Sequence, residues 1–330
     1  MSVRLRDIAD HLGISVSTVS LALRAAPQIA EETRIRVRDA AAQLGYVHRP
    51  RLSVRTELAQ VAFITQAAPD NVFYAAVLSG AERECRRHKI ALHYTRIDDS
   101  PELALAQYSQ SDGLLVVGSV NEQVIDRLRE LERPMVLIDN NLPFLGLDRV
   151  LIENASSLYR TVAYLARLGH RRIAHLSGPL WHPSFRERRQ GYYAAIADLG
   201  LEPIEIPWQS LDVQEIARAL VEELQASGQL RFSALITCND LAAITALHTL
   251  QESGVHIPNE ISVVGFDDID VAAVVRPALT TNHVDRELLG ELGVRRLVER
   301  ANDSDAPALA LVLETLFVER NSARPPRAPA

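Results

Sequence analysis

Cysteine is scarce in this chain: Cys85 and Cys238 are the only two in 330 residues. Two thiols so far apart build neither a disulfide framework nor a zinc-ligand pattern, and they suit a reducing compartment. No apolar run approaches the roughly 18 residues that a membrane span needs. The leading stretch MSVRLRDIADHLG has no apolar h-region, so membrane insertion and export are not expected and a cytoplasmic location is. No glycine-rich phosphate loop of Walker or dinucleotide type follows any apolar run, which argues against a nucleotide-dependent kinase or dehydrogenase. Ser177-Gly178-Pro179 is not a nucleophile elbow, and no cysteine–histidine or serine–histidine pairing has local support. No catalytic residue, metal ligand or cofactor is assigned.

Hydrophobic residues make up 47% and charged ones 23%, the composition of a globular protein long enough for two or three domains. The net charge of −7 argues against nucleic acid, but the average hides an asymmetry. Up to Leu58 there are nine arginines (4, 6, 24, 34, 36, 38, 49, 51 and 55) against six acids, so this head carries +3 and the rest −10. A basic head on an acidic body is expected where only the head meets phosphates. Arginine also offers bidentate pairing with phosphate or guanine.

Within the head, Leu5, Ile8, Ala9 and Leu12 fall at i, i+3, i+4 and i+7, one apolar stripe of a first helix ended by Gly13. Ser15 is placed to cap a second helix over residues 16–24, with Val19 and Leu23 turned inward. A third helix over 31–44 repeats the stripe with Val37, Ala40, Ala41 and Leu44, and Gly45 closes it. Two short helices joined by a glycine turn and braced by a third form a helix-turn-helix, whose second helix enters the major groove. That helix is unusually rich in Ser and Thr. Val16, Ser17, Ser20 and Leu21 lie opposite its inward pair, where short side chains allow close backbone approach and hydroxyls reach phosphates or base edges. Spacing alone also admits a small helical bundle with a polar face.

From Gln60 the rhythm changes to apolar runs alternating with amphipathic helices. VAFIT, IALHYTRI, GLLVVG, PMVLIDN, RIAHLSG, SALITC and ISVVGF read as parallel strands buried on both faces. Helices are predicted over residues 71–89, 121–131, 155–168, 185–199, 213–227 and 241–253, with a short one around 102–108. About 260 residues suit two similar α/β halves with a cleft between them, and such sheets bind ligands beyond the carboxyl ends of their strands. The tail ARPPRAPA is read as disordered.

The stretch RLRDIADHLGISVSTVSLALRAAPQIAEETRIRVRDAAAQLGYV resembles the headpiece of the lactose-repressor/galactose-repressor family of bacterial transcription regulators. The shared elements are the D-[IV]-A opening, G-[IV]-S-x-x-T-V-S, E-E-T-R and L-G-Y. The body continues the likeness in SGPLWHPSFRERRQGY, TCNDLAA, VVGFDD and RPALTT, so it covers nearly the whole chain. It implies a periplasmic-binding-protein-like (type I) body of two parallel-sheet subdomains. Expected domains are a DNA-binding head over 1–47, a hinge over 48–59, an effector-binding and dimerisation body over 60–322, and a tail over 323–330. The resemblance points to DNA contacts from Ser15, Val16, Ser17, Thr18, Ser20 and Leu21, with Arg24, Arg34 and Arg51. By position it maps effector contacts onto Asn71, Phe73, Arg186, Asn239 and Asp267. Trp181 and Ser184 lie with His182 in the loop that varies with ligand, and Trp208 lies near the family's stacking aromatic. Each has a plainer reading: Phe73 as core, Asn239 as an Asx turn, Arg186 as a solvated residue, His182 as an exposed loop histidine, and Asp267 with Asp268 as a helix-capping pair.

Three departures from the family pattern matter. Leu21 stands where members usually carry a guanine-reading arginine, so a different operator base is expected there. Ala30 replaces the usual capping serine of the third helix, a loss of about 1 kcal/mol. The hinge HRPRLSVRTEL is shorter than usual; Leu52 or Val54 can serve as a minor-groove wedge, or the segment is a flexible basic linker. The resemblance implies a cytoplasmic repressor that binds operator DNA as a homodimer under control of a small molecule, most often a sugar. The alternative is a sugar-binding component of a transport system, which predicts a signal peptide and no basic head.

Overall fold

The computed structural model describes residues 5–23, 29–44, 58–68, 71–97, 108, 110–142, 146–206, 208, 212–227 and 230–326. The chain divides into two compact units, Met1–Val54 and Arg55–Ala330. The expected hinge contacts Arg51, Leu52 and Val54, Arg24, Gly45, most of the 102–108 helix and the end of the tail lie outside the described residues.

The first unit is three helices, α1 (Leu5–Leu12), α2 (Val16–Leu23) and α3 (Glu31–Gln43). Gly13 sits at φ +66°, a left-handed conformation that stops α1 without the strain a side chain would bring. The Thr18 amide then donates to Ser15 Oγ at 3.0 Å, and the two hydroxyls lie 2.8 Å apart, so Ser15 starts α2 as its spacing predicts. Ile8, Ala9, Val19, Val37, Ala40 and Ala41 form the core, as their stripes require. Ala22 joins this core, fully buried one turn on from Val19, while the Leu23 side chain lies outside the description.

The second unit alternates strand and helix. Its elements are β1 (Gln60–Thr65), α4 (Val72–Arg87), β2 (Ala91–Arg96), β3 (Gly113–Val117), α5 (Glu122–Arg129), β4 (Met135–Ile138), β5 (Asp148–Ile152) and α6 (Asn154–Arg167). There follow β6 (Ile173–Leu176), α7 (Pro183–Asp198), β7 (Ile204–Ile206), α8 (Val213–Ser227), β8 (Ala234–Thr237), α9 (Asp240–Glu252) and β9 (Ser262–Val264). The chain ends with β10 (Thr281–His283), α10 (Arg286–Asn302), β11 (Ala310–Leu313) and β12 (Leu316–Val318). One sheet runs β11-β5-β4-β3-β1-β2 and a second β7-β6-β8-β9, every pairing parallel. Strands β3, β4, β6 and β8 are buried along their whole length, as unbroken apolar runs predict. Strands β5, β10, β11 and β12 go unread in the sequence: β5 opens on Asp148 and Arg149, β10 is the polar Thr281–His283, and β11 and β12 are partly exposed.

The chain passes between the two halves three times: after β5, after β10 and after β11. The second and third passages pair with each other as the antiparallel β10–β12 ribbon. Buried hydroxyls and an amide tie all three together. Asn282 donates to Thr161 Oγ1 (3.0 Å), and Thr315 donates to Ser157 Oγ (2.7 Å), both acceptors lying on α6.

Helices α4 and α10 pack on each other through a glycine contact. A Cβ on Gly80 would stand 1.9 Å from the Glu287 carbonyl oxygen, and one on Gly290 2.0 Å from that of Val77. Backbone meets backbone there, so a methyl group at either glycine forces the two helices apart. We expect Gly80→Ala to destabilise the chain by at least about 1–3 kcal/mol, measured as a lower urea midpoint.

Candidate functional site

On the first unit, Ser15 and Val16 are exposed while Val19 and Ala22 are fully buried, so α2 turns one face outward. Thr18 and Arg34 are half-buried. The side chains of Ser17, Ser20 and Leu21 lie outside the description, as does all of Arg24 and Arg51.

In the second unit polar side chains converge beyond the carboxyl ends of both sheets. The first half contributes Tyr74, on the first turn of α4, and Asp139, the residue after β4. The second contributes His182, Ser184 and Arg188 from α7 and its approach, and Asp267 after β9. Tyr74 Oη donates to Asp139 Oδ2 at 2.9 Å and lies 3.4 Å from His182 Nε2; Ser184 Oγ donates to Asp139 Oδ1 at 2.6 Å. A carboxylate of one half is thus held by a hydroxyl of the other.

Arg188 is the buried cation of this group, 2% exposed. Its Nε donates to Asn154 Oδ1 at 2.9 Å, its Nη1 to the Cys238 carbonyl, and its guanidinium carbon stands 3.6 Å from the Phe266 ring centroid. Its Nη2 reaches Asp267 Oδ1 at 3.4 Å, an ion-pair distance without a hydrogen bond. Beneath Asp267, Asp240 accepts from Thr281 Oγ1 (2.6 Å) and the Ile269 amide (2.9 Å), fixing the loop. Asp139 and Asp267 have φ of +52° and +118°, backbone that side-chain-bearing residues rarely adopt, and such strain gathers where function requires it.

Burial dominates the electrostatics. It pushes the Asp267 carboxyl up to about 8, against the opposing pull of Arg188, with Asp240 and Asp139 adding to the rise. Burial likewise raises Asp139, offset by Ser184, Arg188 and Tyr74, and lifts Asp240 to about 7. The Tyr74 phenol rises for the same reason, with Asp139 adding to it. His182 is lowered to about 3 by burial and by Arg188, so its ring is neutral. Its Nδ1 and Asp267 Oδ1 are buried without a hydrogen bond.

Of the positions read from sequence, Ser184 and Asp267 stand in this cluster. Asn71 and Asn239 stand at its edge as helix caps: Asn71 Oδ1 accepts from the Phe73 and Tyr74 amides, and Asn239 Oδ1 from Ala242. Phe73 packs edge-on against Tyr74, ring centroids 5.1 Å apart. Trp181 is 58% exposed, its ring 5.9 Å from that of His182. Three positions differ from expectation. Arg186 is exposed, and its place is taken by Arg188, which shares a helix face with Ser184 at i+4 whereas Arg186 at i+2 points away. Trp208 is buried in the second half's core and donates Nε1–H to the Asp212 carbonyl (3.2 Å), so it presents no free stacking face. His182 is buried rather than exposed, its ring stacked 4.4 Å from Phe185. Tyr74 and Asp139 escape the sequence reading; Asp139 ends VLID as Asp267 ends VVGFD, the signal that would have found it.

A three-helix head and a two-halved parallel α/β body with a polar cluster at the strand ends define a ligand-responsive DNA-binding regulator. Residues 4–48 match the model of bacterial regulatory proteins of the lacI family, and 162–323 that of the periplasmic binding protein-like domain. The ribose operon repressor of Escherichia coli (strain K12) is 31% identical over 330 residues, spanning 97% of this chain and 99% of that protein. The HTH-type transcriptional repressor PurR of Aliivibrio fischeri (strain MJ11) is 29% identical, spanning 96% and 97%. Among solved structures, a complex of the transcriptional regulator CelR with cellobiose superposes with a TM-score of 0.72 at 25% identity, covering 97% of this chain and 100% of the other. A lac repressor dimer bound to operator shares the fold, with a TM-score of 0.72 at 22% identity, covering 98% and 100%. The chain belongs to the lacI family of bacterial regulatory proteins and is not an enzyme. The lacI-type head sets the transport reading aside. Among the described residues no helix is long and apolar enough to cross a membrane.

The raised Asp267 carboxyl ties stability to pH. An acid whose folded value is raised holds its proton more tightly when folded, so the folded state loses stability as pH climbs from the unfolded value of about 4 to about 8. Asp267→Asn escapes that loss. Its Tm relative to wild type is expected to rise across this interval and level off above it, measured by thermal unfolding at graded pH.

Proposed function

We propose that the chain is a repressor whose hold on operator DNA is set by a polyhydroxyl small molecule, most simply a sugar, bound among Tyr74, Asp139, Ser184, Arg188, Asn239 and Asp267. The observation that carries this reading is the meeting of Tyr74 and Asp139 with Ser184, Arg188 and Asp267 across two separately folded sheets. A guanidinium, carboxylates and an amide at one point donate to and accept from vicinal hydroxyls. A ligand touching both halves also biases their relative placement, which is what an effector must do to be felt elsewhere. Relatives and neighbours whose names include ribose and cellobiose support the ligand class.

Ser15, Val16, Ser17, Thr18, Ser20, Leu21, Arg24, Arg34 and Arg51 are proposed to meet DNA, and the protein to act as a homodimer. One head reads too few base pairs for specificity, and two heads on a two-fold axis fit half-sites about one helical turn apart. The coupling is reciprocal, so operator DNA changes effector affinity by the same factor.

Arg188→Ala is expected to abolish the thermal stabilisation given by a responding sugar, whereas Arg186→Ala keeps it. Equal loss in both variants would return the contact to Arg186. In the head, Ser17→Ala is expected to weaken operator binding far more than binding to bulk DNA, read by fluorescence anisotropy on both. An equal loss would remove Ser17 from base reading.

A further inference from the structure

Besides the Ser184–Asp139 bond, a second hydrogen-bonded path crosses between the halves, and it begins at Arg188. Arg188 Nε donates to Asn154 Oδ1, and Asn154 Nδ2 donates to Glu187 Oε2, each at 2.9 Å. The other carboxylate oxygen, Glu187 Oε1, accepts from Asn141 Nδ2 at 2.5 Å. Asn141 Oδ1 in turn accepts from Arg149 Nη1 at 2.7 Å. Arg149 lies on β5 and Asn141 just beyond β4, both in the first half; Asn154 opens α6 and Glu187 lies on α7, both in the second. Glu187 stands at i+3 from Ser184, on the same face of the helix.

One link of this path feels the halves move. Strands β4 and β5 are paired, Ile138 against Val150, so Asn141 and Arg149 travel together. Helices α6 and α7 meet backbone to backbone, where a Cβ on Gly191 would stand 2.0 Å from the Ala155 carbonyl oxygen. Asn154 and Glu187 therefore travel together as well, and the Asn141–Glu187 bond is what opens or closes. The path is also fixed in direction. Arginine only donates and a carboxylate only accepts, so each amide between them must turn its oxygen to the arginine and its nitrogen to Glu187. A change at Arg188 thus reaches Glu187 through Asn154. Freed from Nε, that amide can turn, and the carboxylate keeps the first half's amide alone.

The geometry points to Glu187 as the positioning residue that carries the state of Arg188 across the cleft, without touching the effector itself. What Arg188 senses rests on the effector reading above; the path does not. The test compares the full chain with Glu187→Gln and with the exchanged pair Asn141→Asp/Glu187→Gln. Glutamine keeps the shape of Glu187 but sets an N–H against one of the two amide nitrogens, which breaks a link. The second change supplies a carboxylate that accepts from Arg149 and from the new glutamine, which restores it. In each chain Arg188→Lys withdraws the Nε donor while keeping the charge, and amide hydrogen exchange is followed over residues 135–142 of the first half. In the wild type Arg188→Lys is expected to speed that exchange by about tenfold. With Glu187→Gln the effect is lost, and in the exchanged pair it returns. No effect in the wild type, an equal effect with Glu187→Gln, or no return in the exchanged pair would overturn the proposal. Should Arg188→Lys not fold, Asn154→Ala cuts the path one residue later, with the same expectations. The consequence for regulation is read with ribose and cellobiose as probes. Where either stabilises the wild type, Glu187→Gln is expected to keep that stabilisation and to shrink the sugar's effect on operator affinity by about tenfold. An operator affinity that neither sugar moves in the wild type would count against the effector reading alone, and the exchange measurement still decides the path.

Discussion

A guanidinium taken wholly out of water must find every partner inside the protein, and Arg188 organises the second half of the body by doing so. Its contacts draw together the start of α6 through Asn154, the end of β8 through the Cys238 carbonyl and the end of β9 through Phe266 and Asp267. Removing the cation would strand those acceptors in low dielectric, where a lost partner is far more damaging than the bond's net worth. In the proposed effector site, the same position makes the side chain a sensor. A ligand that competes for Asp267 or Arg188 disturbs three strand and helix ends at once.

The first half answers with a smaller arrangement of the same kind. Asp139 is buried at a strained strand end and shared between Tyr74 of its own half and Ser184 of the other. Neither carboxylate sits comfortably: burial raises both, and Asp267 Oδ1 accepts no hydrogen bond. Folding places them there against local preference, and the gain must come from something that folding alone does not supply.

Legibility in sequence followed how local the physics is. The head's helices are set by contacts three and four residues apart and by Ser15 and Gly13, all visible in one short stretch, so its elements could be read almost to the residue. The buried strands announced themselves through unbroken Val, Ile and Leu runs, whereas β11 and β12, short and partly exposed, did not. The site was harder because it depends on which way a helix faces. Arg186 and Arg188 are two positions apart in RERR, and only the buried phase of α7, marked by Ser184, separates them. Trp208 failed for the opposite reason: a tryptophan near a strand end satisfies a core as readily as a ligand. Asp139 needed a contact 45 residues away, to Ser184, to acquire meaning.

The knot of Ser157, Thr161, Asn282 and Thr315 restricts how the body can move as a machine. Because the β10–β12 crossings are laced to α6, sliding the halves apart would strip hydrogen bonds from buried polar atoms, while bending or twisting about the laced bundle keeps them. The body therefore has a torsional joint rather than a loose tether. A ligand gripping the strand ends acts at the far end of a short lever, with the joint as its fulcrum.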